Sequence, residues 1–283
     1  MQGEKIMSQI LPPNSLKSLE KRISNDAGGQ PIPTAKNTKT VAMVALSQMM
    51  PPGAIKGGTA MKIRLGDRGR FSLDIDVARA QAEAEFETTL AENLEKGWGG
   101  FTGTMSRNKS AAAPAGVPAP YIMIPYKVKL FYKSSHWRTV DLEVGHDELG
   151  DTRDYELKMD SAITDLFERL GLSAPDPAPV LATKHQVAQK IHGASNEVHH
   201  RPHDLVDLQL LITHETVDLA EVREICERLF PFRKRQSWPP VVTMSGPELD
   251  SLYLTASEDM SVVPDLLEAV AWANSLIATI VKS

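Results

Sequence analysis

The sequence predicts an α+β fold, in which an N-terminal lobe built on a mixed sheet (residues 1–158) is followed by a mostly helical C-terminal lobe (residues 159–283). In the first lobe, "FSLDIDV", "YIMIPYKVKLFY" and "RTVDLEV" alternate apolar and polar residues, which is the period of a strand. Beyond about residue 158, apolar residues recur every three to four positions, which is the period of a helix. This change of period divides the chain into the two predicted lobes.

The N-terminal lobe is predicted to begin with an irregular or helical extension over residues 1–37. One short helix is expected around "SLKSLEKRI", and a second in "TKTVAMVALSQMM", which a Pro-Pro-Gly sequence ends. The strong helix formers of "VARAQAEAEFETTLAENLEKGW" predict a long helix that ends near Gly97. A proline-rich loop over residues 106–120 then precedes an antiparallel hairpin, whose two strands flank "KSSHW".

The C-terminal lobe is predicted to contain five amphipathic helices. Their sequences are "MDSAITDLFERLG", "ATKHQVAQKIHGA", "PHDLVDLQLLITH", "DLAEVREICERLF" and a final helix inside "VVPDLLEAVAWANSLIATIVKS". No internal repeat is present in this series, so we expect a single helical lobe.

The composition limits the functions that the chain can have. A formal net charge of −5 argues against nonspecific coating of nucleic acid, although it leaves room for a local basic track. The single cysteine, Cys226, excludes an internal disulfide framework and a cysteine-built zinc site. No apolar run approaches the ~18 residues of a membrane span, and the N-terminus lacks the features of a signal peptide. We therefore expect a cytoplasmic protein with no membrane partner.

A glycine pair opens the most informative stretch, "IKGGTAMKIRLGDRGRFSLDIDV". Gly57 and Gly58 permit a tight turn that brings backbone N–H groups close to an anion, and a helix that begins there adds the positive end of its dipole. Thr59 can donate its hydroxyl to a phosphate oxygen, and Lys56 or Lys62 can neutralise nearby charge. By itself, however, such a tripeptide is more often an ordinary turn or helix cap.

Two aspartates separated by one residue close the same stretch. On a strand, Asp74 and Asp76 project from one face about 7 Å apart, where they repel each other unless a cation lies between them. Mg²⁺, or Mn²⁺ in its place, suits such oxygen ligands together with substrate phosphates. Ser72 shares this face and is predicted to position a triphosphate. The alternative interpretation is a polar strand edge that binds no metal.

A third carboxylate is expected from a neighbouring strand, because two metal ions can activate the attacking oxygen and stabilise the leaving pyrophosphate. "TVDLEV" offers Asp141 and Glu143, which share one face by strand alternation. Glu143 is preferred because it lies nearer the end of the strand, and Asp141 remains the alternative. The predicted catalytic metal ligands are therefore Asp74, Asp76 and Glu143.

This stretch resembles the signature of the AbiEii/AbiGii nucleotidyltransferase toxins, a branch of the polymerase-β-like nucleotidyltransferase superfamily that includes the MenT-like toxins. The family pattern is roughly K-G-G-T-A followed by R-x-S-x-D-x-D. It falls on Lys56, Gly57, Gly58, Thr59, Ala60, Arg70, Ser72, Asp74 and Asp76. The resemblance spans roughly residues 40–215 and implies that Arg70 also belongs to the nucleotide-binding set.

A second block, "HQVAQKIHGA" followed by "RPHDLVDLQLL", also resembles the family. The resemblance implies that Lys190 reaches across a cleft to the triphosphate and stabilises the negative charge that develops there. Asp204 and Asp207 share a helix face at i, i+3. Asp204 is expected to orient Lys190 or a metal-bound water. Asp207 is expected among the nucleotide-binding residues, with a structural ion pair to an arginine as the alternative.

The block departs from the family pattern at two positions. Gly193 stands where a small alanine is usual, and His203 stands where arginine is usual. The second departure puts one cationic contact to the nucleotide phosphates in question and leaves the fold unaffected.

The resemblance implies a function for the whole chain. It implies a polymerase-β-like fold and the toxin of a bacterial toxin–antitoxin or phage-defence pair, with a cognate antitoxin. The expected reaction moves a nucleoside monophosphate from a nucleoside triphosphate to an RNA acceptor, the tRNA 3′ end, with Mg²⁺, and so blocks translation. One alternative is a protein or small-molecule acceptor. The other is a nucleotide-binding regulatory module without catalysis.

Two segments are candidates for contact with the RNA acceptor. "FPFRKRQSW" mixes aromatic and basic residues, as single-stranded nucleic-acid sites do. "PYKVKLFYK" places Lys127 and Lys129 on one face of a strand. The plain alternative for both segments is a solvated charged surface.

Overall fold

The computed structural model of the chain describes residues 10–70, 74–108 and 123–283. It confirms the predicted α+β class, because these residues form one seven-stranded mixed sheet together with ten α-helices. None of the helices in these three ranges is long and apolar enough to cross a bilayer.

Seven strands form the sheet. They are β1 (Gly53–Lys56), β2 (Ile75–Arg79), β3 (Phe101–Arg107), β4 (Ile124–Tyr132), β5 (Ser135–Gly145), β6 (Tyr155–Lys158) and β7 (Ala178–Leu181). Their spatial order is β3-β4-β5-β2-β1-β7-β6. β2 pairs with β5, and β1 with β7, in parallel, whereas the other neighbours are antiparallel. The two strands of the Gly-Gly and D-x-D stretch therefore lie side by side within the sheet and away from its edges.

Ten α-helices accompany the sheet. They are α1 (Leu16–Asp26), α2 (Pro31–Ser47), α3 (Gly57–Leu65), α4 (Glu83–Lys96), α5 (Ser161–Leu170), α6 (Thr183–Ala194), α7 (Pro202–His214), α8 (Leu219–Arg233), α9 (Pro247–Ser257) and α10 (Leu266–Lys282). Proline occupies the first turn of α2, α7 and α9, where its missing N–H has no intrahelical partner to lose.

The first hydrophobic core lies under one face of the sheet. Ile75 and Val77 of β2 point into it, and so do Leu142 and Val144 of β5. The apolar side of α2 and buried residues of α1, α4 and α5 complete it. Strand alternation sends the polar residues between these positions to the opposite face. Burial of one face therefore determines where the carboxylates of β2 and β5 project.

The second core belongs to the helices that follow β7. Buried residues of α6, α7, α8 and α10 form it, with Val187, Leu208 and Phe230 among the fully buried ones. α3 packs into both cores, because Ala60 and Ile63 belong to the first and Met61 and Leu65 to the second. This short helix therefore joins the sheet to the helical layer.

Several predicted elements are confirmed. The hairpin is formed by β4 and β5 around Lys133 and Ser134, both of which have positive φ values. The helices predicted in "SLKSLEKRI", "TKTVAMVALSQMM" and the five C-terminal segments are present, with α2 beginning at Pro31, ahead of the predicted start.

Other expectations were wrong or incomplete. The long helix expected from Val77 begins only at Glu83, because residues 77–79 continue β2 at the centre of the sheet. Strands β1, β3, β6 and β7 and helix α9 were not predicted. β1, β6 and β7 are only four residues long, and β3 overlaps the segment expected as loop. The predicted loop over residues 106–120 lies mostly outside the described residues.

The packing bears on the predicted lobe boundary after residue 158. α5 contributes buried residues to the first core, and β7 is a strand of the seven-stranded sheet. Apart from two residues of α3, the buried residues of the second core all come from α6 and the segments that follow it. The division into two lobes stays a proposal, and on packing alone we would place it near residue 182.

Candidate active site

A row of polar side chains crosses three adjacent strands on the face opposite the first core. Lys56 of β1 lies in register with Asp76 of β2, and Asp76 lies in register with Glu143 of β5. Residues in register on neighbouring strands share a face and have Cβ atoms roughly 5 Å apart. The sheet therefore brings two carboxylates and an ammonium group together, although Asp76 and Glu143 are 67 positions apart in the sequence.

The two carboxylates of this row are held in an unfavourable electrostatic environment. Burial raises the pKa of Asp76, while Lys56 and Lys190 oppose that rise and Asp74 adds to it. Burial likewise raises the pKa of Glu143, and the neighbouring Asp76 and Asp74 raise it further. In each case the charged form is disfavoured because like charges lie close in a partly desolvated place. A cation bound between these carboxylates would favour their charged forms and so lower both pKa values.

The structure distinguishes the two candidates for the third carboxylate by position. Glu143 lies opposite Asp76, whereas Asp141 forms a salt bridge with Lys127, with an Nζ–Oδ1 distance of 2.8 Å. Both side chains of that salt bridge are about half exposed. Glu143 is therefore better placed than Asp141 to share a ligand with Asp76, and its metal-binding role remains a prediction.

Gly57 lies directly against the carboxylate of Asp76. Its φ of +64° favours glycine, and a Cβ at this position would lie 2.0 Å from Oδ2 of Asp76. α3 begins at this residue, and the residue that precedes the helix, Lys56, makes no side-chain capping hydrogen bond. The backbone N–H groups of Gly57, Gly58 and Thr59 thus form the first turn of a helix beside the carboxylate row, which is an arrangement suited to an anion.

The Thr59 hydroxyl has a partner within the protein. It donates to the backbone carbonyl of Asp74, with an oxygen–oxygen distance of 2.8 Å, and so ties the start of α3 to the residue that precedes β2. Lys62 forms a salt bridge with Asp67 at 2.9 Å. The predicted contacts of Thr59 and Lys62 with phosphate stay predictions. Ser72 lies outside the described residues.

The described residues contain no group of three or more His, Cys, Asp or Glu side chains that is already arranged to hold a metal ion. The chemistry of the carboxylate row nevertheless fits a hard divalent cation. Its donors are all carboxylate oxygens, and the pKa values of Asp76 and Glu143 are raised by burial and by neighbouring negative charge. Asp74, Asp76 and Glu143 are thus the residues that would hold Mg²⁺ or Mn²⁺.

A buried ionic cluster from the helical layer faces the row. Lys190 of α6 lies 2.7 Å from Oδ1 of Asp204 and 2.6 Å from Oδ2 of Asp207. Arg70 binds the same Asp207 with two hydrogen bonds, of 2.7 Å from Nε and 2.9 Å from Nη2. The pKa of Asp207 falls to about 2, because Lys190 and Arg70 outweigh the effect of its burial.

This cluster supports part of the predicted arrangement. Asp204 contacts Lys190 as expected, and Asp207 forms the ion pair with an arginine that was the structural alternative. The arginine is Arg70, which lies 137 residues away in the sequence, at the end of the loop after α3. The roles of Lys190, Arg70, Asp204 and Asp207 toward a nucleotide remain predictions.

The two departures from the family pattern lie in the same place. A Cβ at Gly193 would lie 2.1 Å from Oδ2 of Asp204, so the carboxylate occupies the space that an alanine methyl group would need. His203 lies beside Arg201, which forms an ion pair with Asp204 at 3.0 Å. Burial lowers the pKa of His203 to about 4, so this side chain is neutral near pH 7. Arg201 is a cation near Asp76 that was not assigned to the site from the sequence.

A cavity of about 360 Å³ opens beside the carboxylate row. Its lining includes Asp74, which precedes β2, Asp141 and Arg138 from β5, and Lys39 and Met43 from α2. No function was predicted from the sequence for Lys39, Met43 or Arg138. No local motif marks them, because the cavity depends on how α2 packs beside β5.

Comparisons with known proteins bear on the family and the fold. The family model described as "Nucleotidyl transferase AbiEii toxin, Type IV TA system" matches residues 42–275. Among solved structures, the chain is similar to MenT4, a nucleotidyltransferase toxin from Mycobacterium tuberculosis H37Rv, with a TM-score of 0.61 and 16% sequence identity. The similarity covers 93% of this chain and 90% of that chain. A comparison with curated proteins finds no match. The likeness in structure confirms the predicted fold.

Proposed function

We propose a reaction for this chain, which belongs to the AbiEii family of nucleotidyltransferase toxins of type IV toxin–antitoxin systems. In this reaction the enzyme moves a nucleoside monophosphate from a nucleoside triphosphate to the 3′ end of tRNA. The observation that carries the proposal is the carboxylate row of Asp76 and Glu143 beside the glycine turn at Gly57. A divalent metal and a triphosphate are the two ligands that such an arrangement suits.

In the proposed reaction, the triphosphate lies over the start of α3. The N–H groups of Gly57, Gly58 and Thr59 bind its oxygens, and Lys56 and Ser72 assist them. Lys190 and Arg70 place positive charge on the helical side of the cleft, held in position by Asp204 and Asp207. Preorganised charge of this kind stabilises the negative charge that develops as pyrophosphate leaves.

The acceptor hydroxyl oxygen forms the new bond to the α-phosphorus as the bond to pyrophosphate breaks. Its proton passes to one of the carboxylates or to solvent. Mg²⁺ or Mn²⁺ held by Asp74, Asp76 and Glu143 would supply the positive charge that activates the attacking oxygen and stabilises the leaving one. Transfer to the 3′ end of tRNA would prevent aminoacylation and hence translation, and a cognate antitoxin would counter that effect.

An exposed polar surface supports the choice of an RNA acceptor. Beyond Asp141, the same face of β3, β4 and β5 carries exposed, mostly neutral or basic side chains. They are Thr104, Ser106, Lys127, Lys129 and Thr139. Lys127 forms an ion pair with Asp141, so Lys129 contributes most of the positive charge that would attract a polyanion along the sheet. "FPFRKRQSW" gives less support, because Arg233 is engaged with Glu148.

The test is transfer of label from each α-labelled nucleoside triphosphate to total tRNA, with Mg²⁺, by the purified protein. We expect label in tRNA with one or more of the four triphosphates, none with Asp76→Ala, and none when a chelator removes the metal. Asp165→Ala, which changes an exposed aspartate on α5, is the matched control and should retain activity.

Failure to label tRNA with any triphosphate, by a protein that remains toxic in cells, would overturn the tRNA assignment. Label that appears on protein or on a small molecule would establish one of the alternative acceptors. Toxicity that survives Asp76→Ala would instead favour the nucleotide-binding module without catalysis.

A further inference from the structure

We propose that the cavity between α2 and the start of β2 is an acceptor subsite, which holds the terminal nucleotide of the RNA whose 3′ hydroxyl is to be modified. The inference rests on the proposed function and specifies where the second substrate lies. It assigns a role to Lys39, Met43 and Arg138.

The cavity has the composition of a nucleotide site. Its volume of about 360 Å³ lies within the range of small-ligand pockets, about 300–1,000 Å³. Apolar walls come from Ala42, Met43, Ile75 and Val140. Three cationic side chains, those of Lys39, Lys62 and Arg138, also line it. An apolar surface with basic groups around it suits a base and its phosphate.

The cavity is continuous with the carboxylate row. Asp74, a predicted metal ligand, forms part of its wall together with Asp141. Thr59 also contributes to the lining, and its hydroxyl holds the backbone carbonyl of Asp74. A nucleotide in the cavity therefore has its sugar close to the position where a metal-activated oxygen is needed.

Two groups of cations lie on different sides of the carboxylate row. Lys190 and Arg70 belong to the cluster that packs on the helical side. Lys39 and Arg138 belong to α2 and β5, on the side of the first core. In-line displacement requires the attacking oxygen and the leaving pyrophosphate to be on opposite sides of the α-phosphorus. With pyrophosphate on the helical side, the acceptor belongs in the cavity.

Charge complementarity distinguishes the acceptor's phosphate from the triphosphate. Lys39 lies near both Asp74 and Asp141, as well as near Arg138, so the cavity mixes both signs of charge. Such a mixture suits one phosphate diester and a sugar better than it suits the several negative charges of a triphosphate. We therefore assign the cavity to the RNA.

The experiment is a binding cycle between the cavity and the terminal nucleotide. Dissociation constants are measured for total tRNA and for the same tRNA trimmed of its 3′-terminal nucleotide. The proteins are the wild type, Lys39→Met, Arg138→Met and the control Lys36→Met. Lys36 lies on α2, three residues before Lys39, is exposed and does not line the cavity.

We expect trimming to weaken binding to the wild type and to Lys36→Met by about tenfold, as loss of one stacked nucleotide would. Trimming should have little effect on Lys39→Met or Arg138→Met, because these variants already lack the contact. In the transfer assay, the same two variants should raise the KM for tRNA by about tenfold and leave the KM for the nucleoside triphosphate unchanged.

Equal sensitivity of all four proteins to trimming would overturn the subsite. An increase in the KM for the triphosphate alone would also overturn it, because the cavity would then serve the nucleotide donor. A wild-type protein that transfers no label but still shows the difference in the binding cycle would contradict the proposed function and support the subsite. Melting temperatures of the variants within a few degrees of the wild type would exclude misfolding as the cause.

Discussion

Two pairs of aspartates in and near the carboxylate row have opposite electrostatic environments. Asp74 and Asp76, with Glu143, lie at the sheet, where burial and mutual repulsion raise the pKa values of Asp76 and Glu143. Asp204 and Asp207 lie on α7, where Lys190, Arg70 and Arg201 surround them and the pKa of Asp207 falls to about 2. At the first pair, burial and mutual repulsion outweigh the attraction of Lys56 and Lys190, whereas at the second pair the neighbouring cations outweigh burial.

The difference teaches how the same side chain takes on two functions. A carboxylate that is compensated by fixed cations holds those cations in place and contributes to the fold. A carboxylate that is not compensated gains most from a cation supplied by the solution. Removing a member of the first pair should therefore impair transfer and spare stability, whereas removing a member of the second should impair stability first.

The largest effect is expected for Asp76→Asn. Loss of this carboxylate should reduce transfer by about 10³-fold or more, which corresponds to roughly 4 kcal/mol of transition-state stabilisation. The melting temperature should stay the same or rise, because a buried like charge is removed. The measurement is transfer kinetics together with thermal unfolding, with Asp165→Asn as the control. If Asp76→Asn lowered the melting temperature as well as the transfer rate, the proposed difference between the two pairs would be wrong.

The second effect is expected for Asp207→Asn. The change leaves Lys190 and Arg70 with a shared neutral partner in a buried place, and breaking such a pair costs about 3–5 kcal/mol. Urea denaturation should show this loss in the free energy of unfolding. If the variant were as stable as the wild type and lost only activity, Asp207 would have to be assigned to the chemistry.

A smaller effect is expected for Gly193→Ala. Alanine is favoured over glycine in a helix by about 1 kcal/mol, but here its Cβ would lie 2.1 Å from Oδ2 of Asp204. We expect a net destabilisation of about 1–3 kcal/mol, as for other overpacked sites. The cost should shrink in an Asp204→Ser background, where the obstructing carboxylate is absent. Stabilisation by Gly193→Ala alone would show that the ionic cluster has room to move.

The smallest effect concerns pH and a third acidic pair, Asp147 and Asp151. Burial, together with a hydrogen bond shared with Asp147, raises the pKa of Asp151 from its ordinary value of 3.8 to about 7. The folded state therefore keeps this proton between about pH 4 and pH 7, where the unfolded chain has lost it. Stability should fall as the pH rises through this window, with a slope of at most about 1.4 kcal/mol per pH unit.

Asp151→Asn tests that dependence. Urea denaturation at several pH values should give a difference in unfolding free energy between variant and wild type that changes across the window and is constant above it. A difference that is the same at every pH would show that Asp151 does not titrate there.

Local patterns were sufficient for some elements and for the residue types of the site. Strand alternation placed Asp76 and Glu143 on polar faces, and the cross-strand register then put them side by side. The helices around Lys190 and Asp204 followed from their apolar period. The alternation and the helical period depend on residues that are near one another in the sequence, whereas the pairing of Asp76 with Glu143 became visible only in the sheet.

Features that depend on distant packing were not predictable in the same way. The two hydrogen bonds from Arg70 to Asp207 join residues 137 positions apart. β2 was read partly as helix, because Val77 to Arg79 continue into helix-forming residues and only the sheet decides where the strand ends. Short strands such as β1 and β7 carry too few residues for a period to be recognised.

The position of α3 has a consequence for evolution and for engineering. Because Ala60 and Ile63 pack with the sheet while Met61 and Leu65 pack with the helices, one nine-residue element must satisfy two cores at once. Arg64, between them, binds Glu156 of β6, Glu215 after α7 and the carbonyl of Leu181. A chimera that exchanges the helical layer between relatives would therefore inherit a mismatched junction unless α3, Glu156 and Glu215 were exchanged with it.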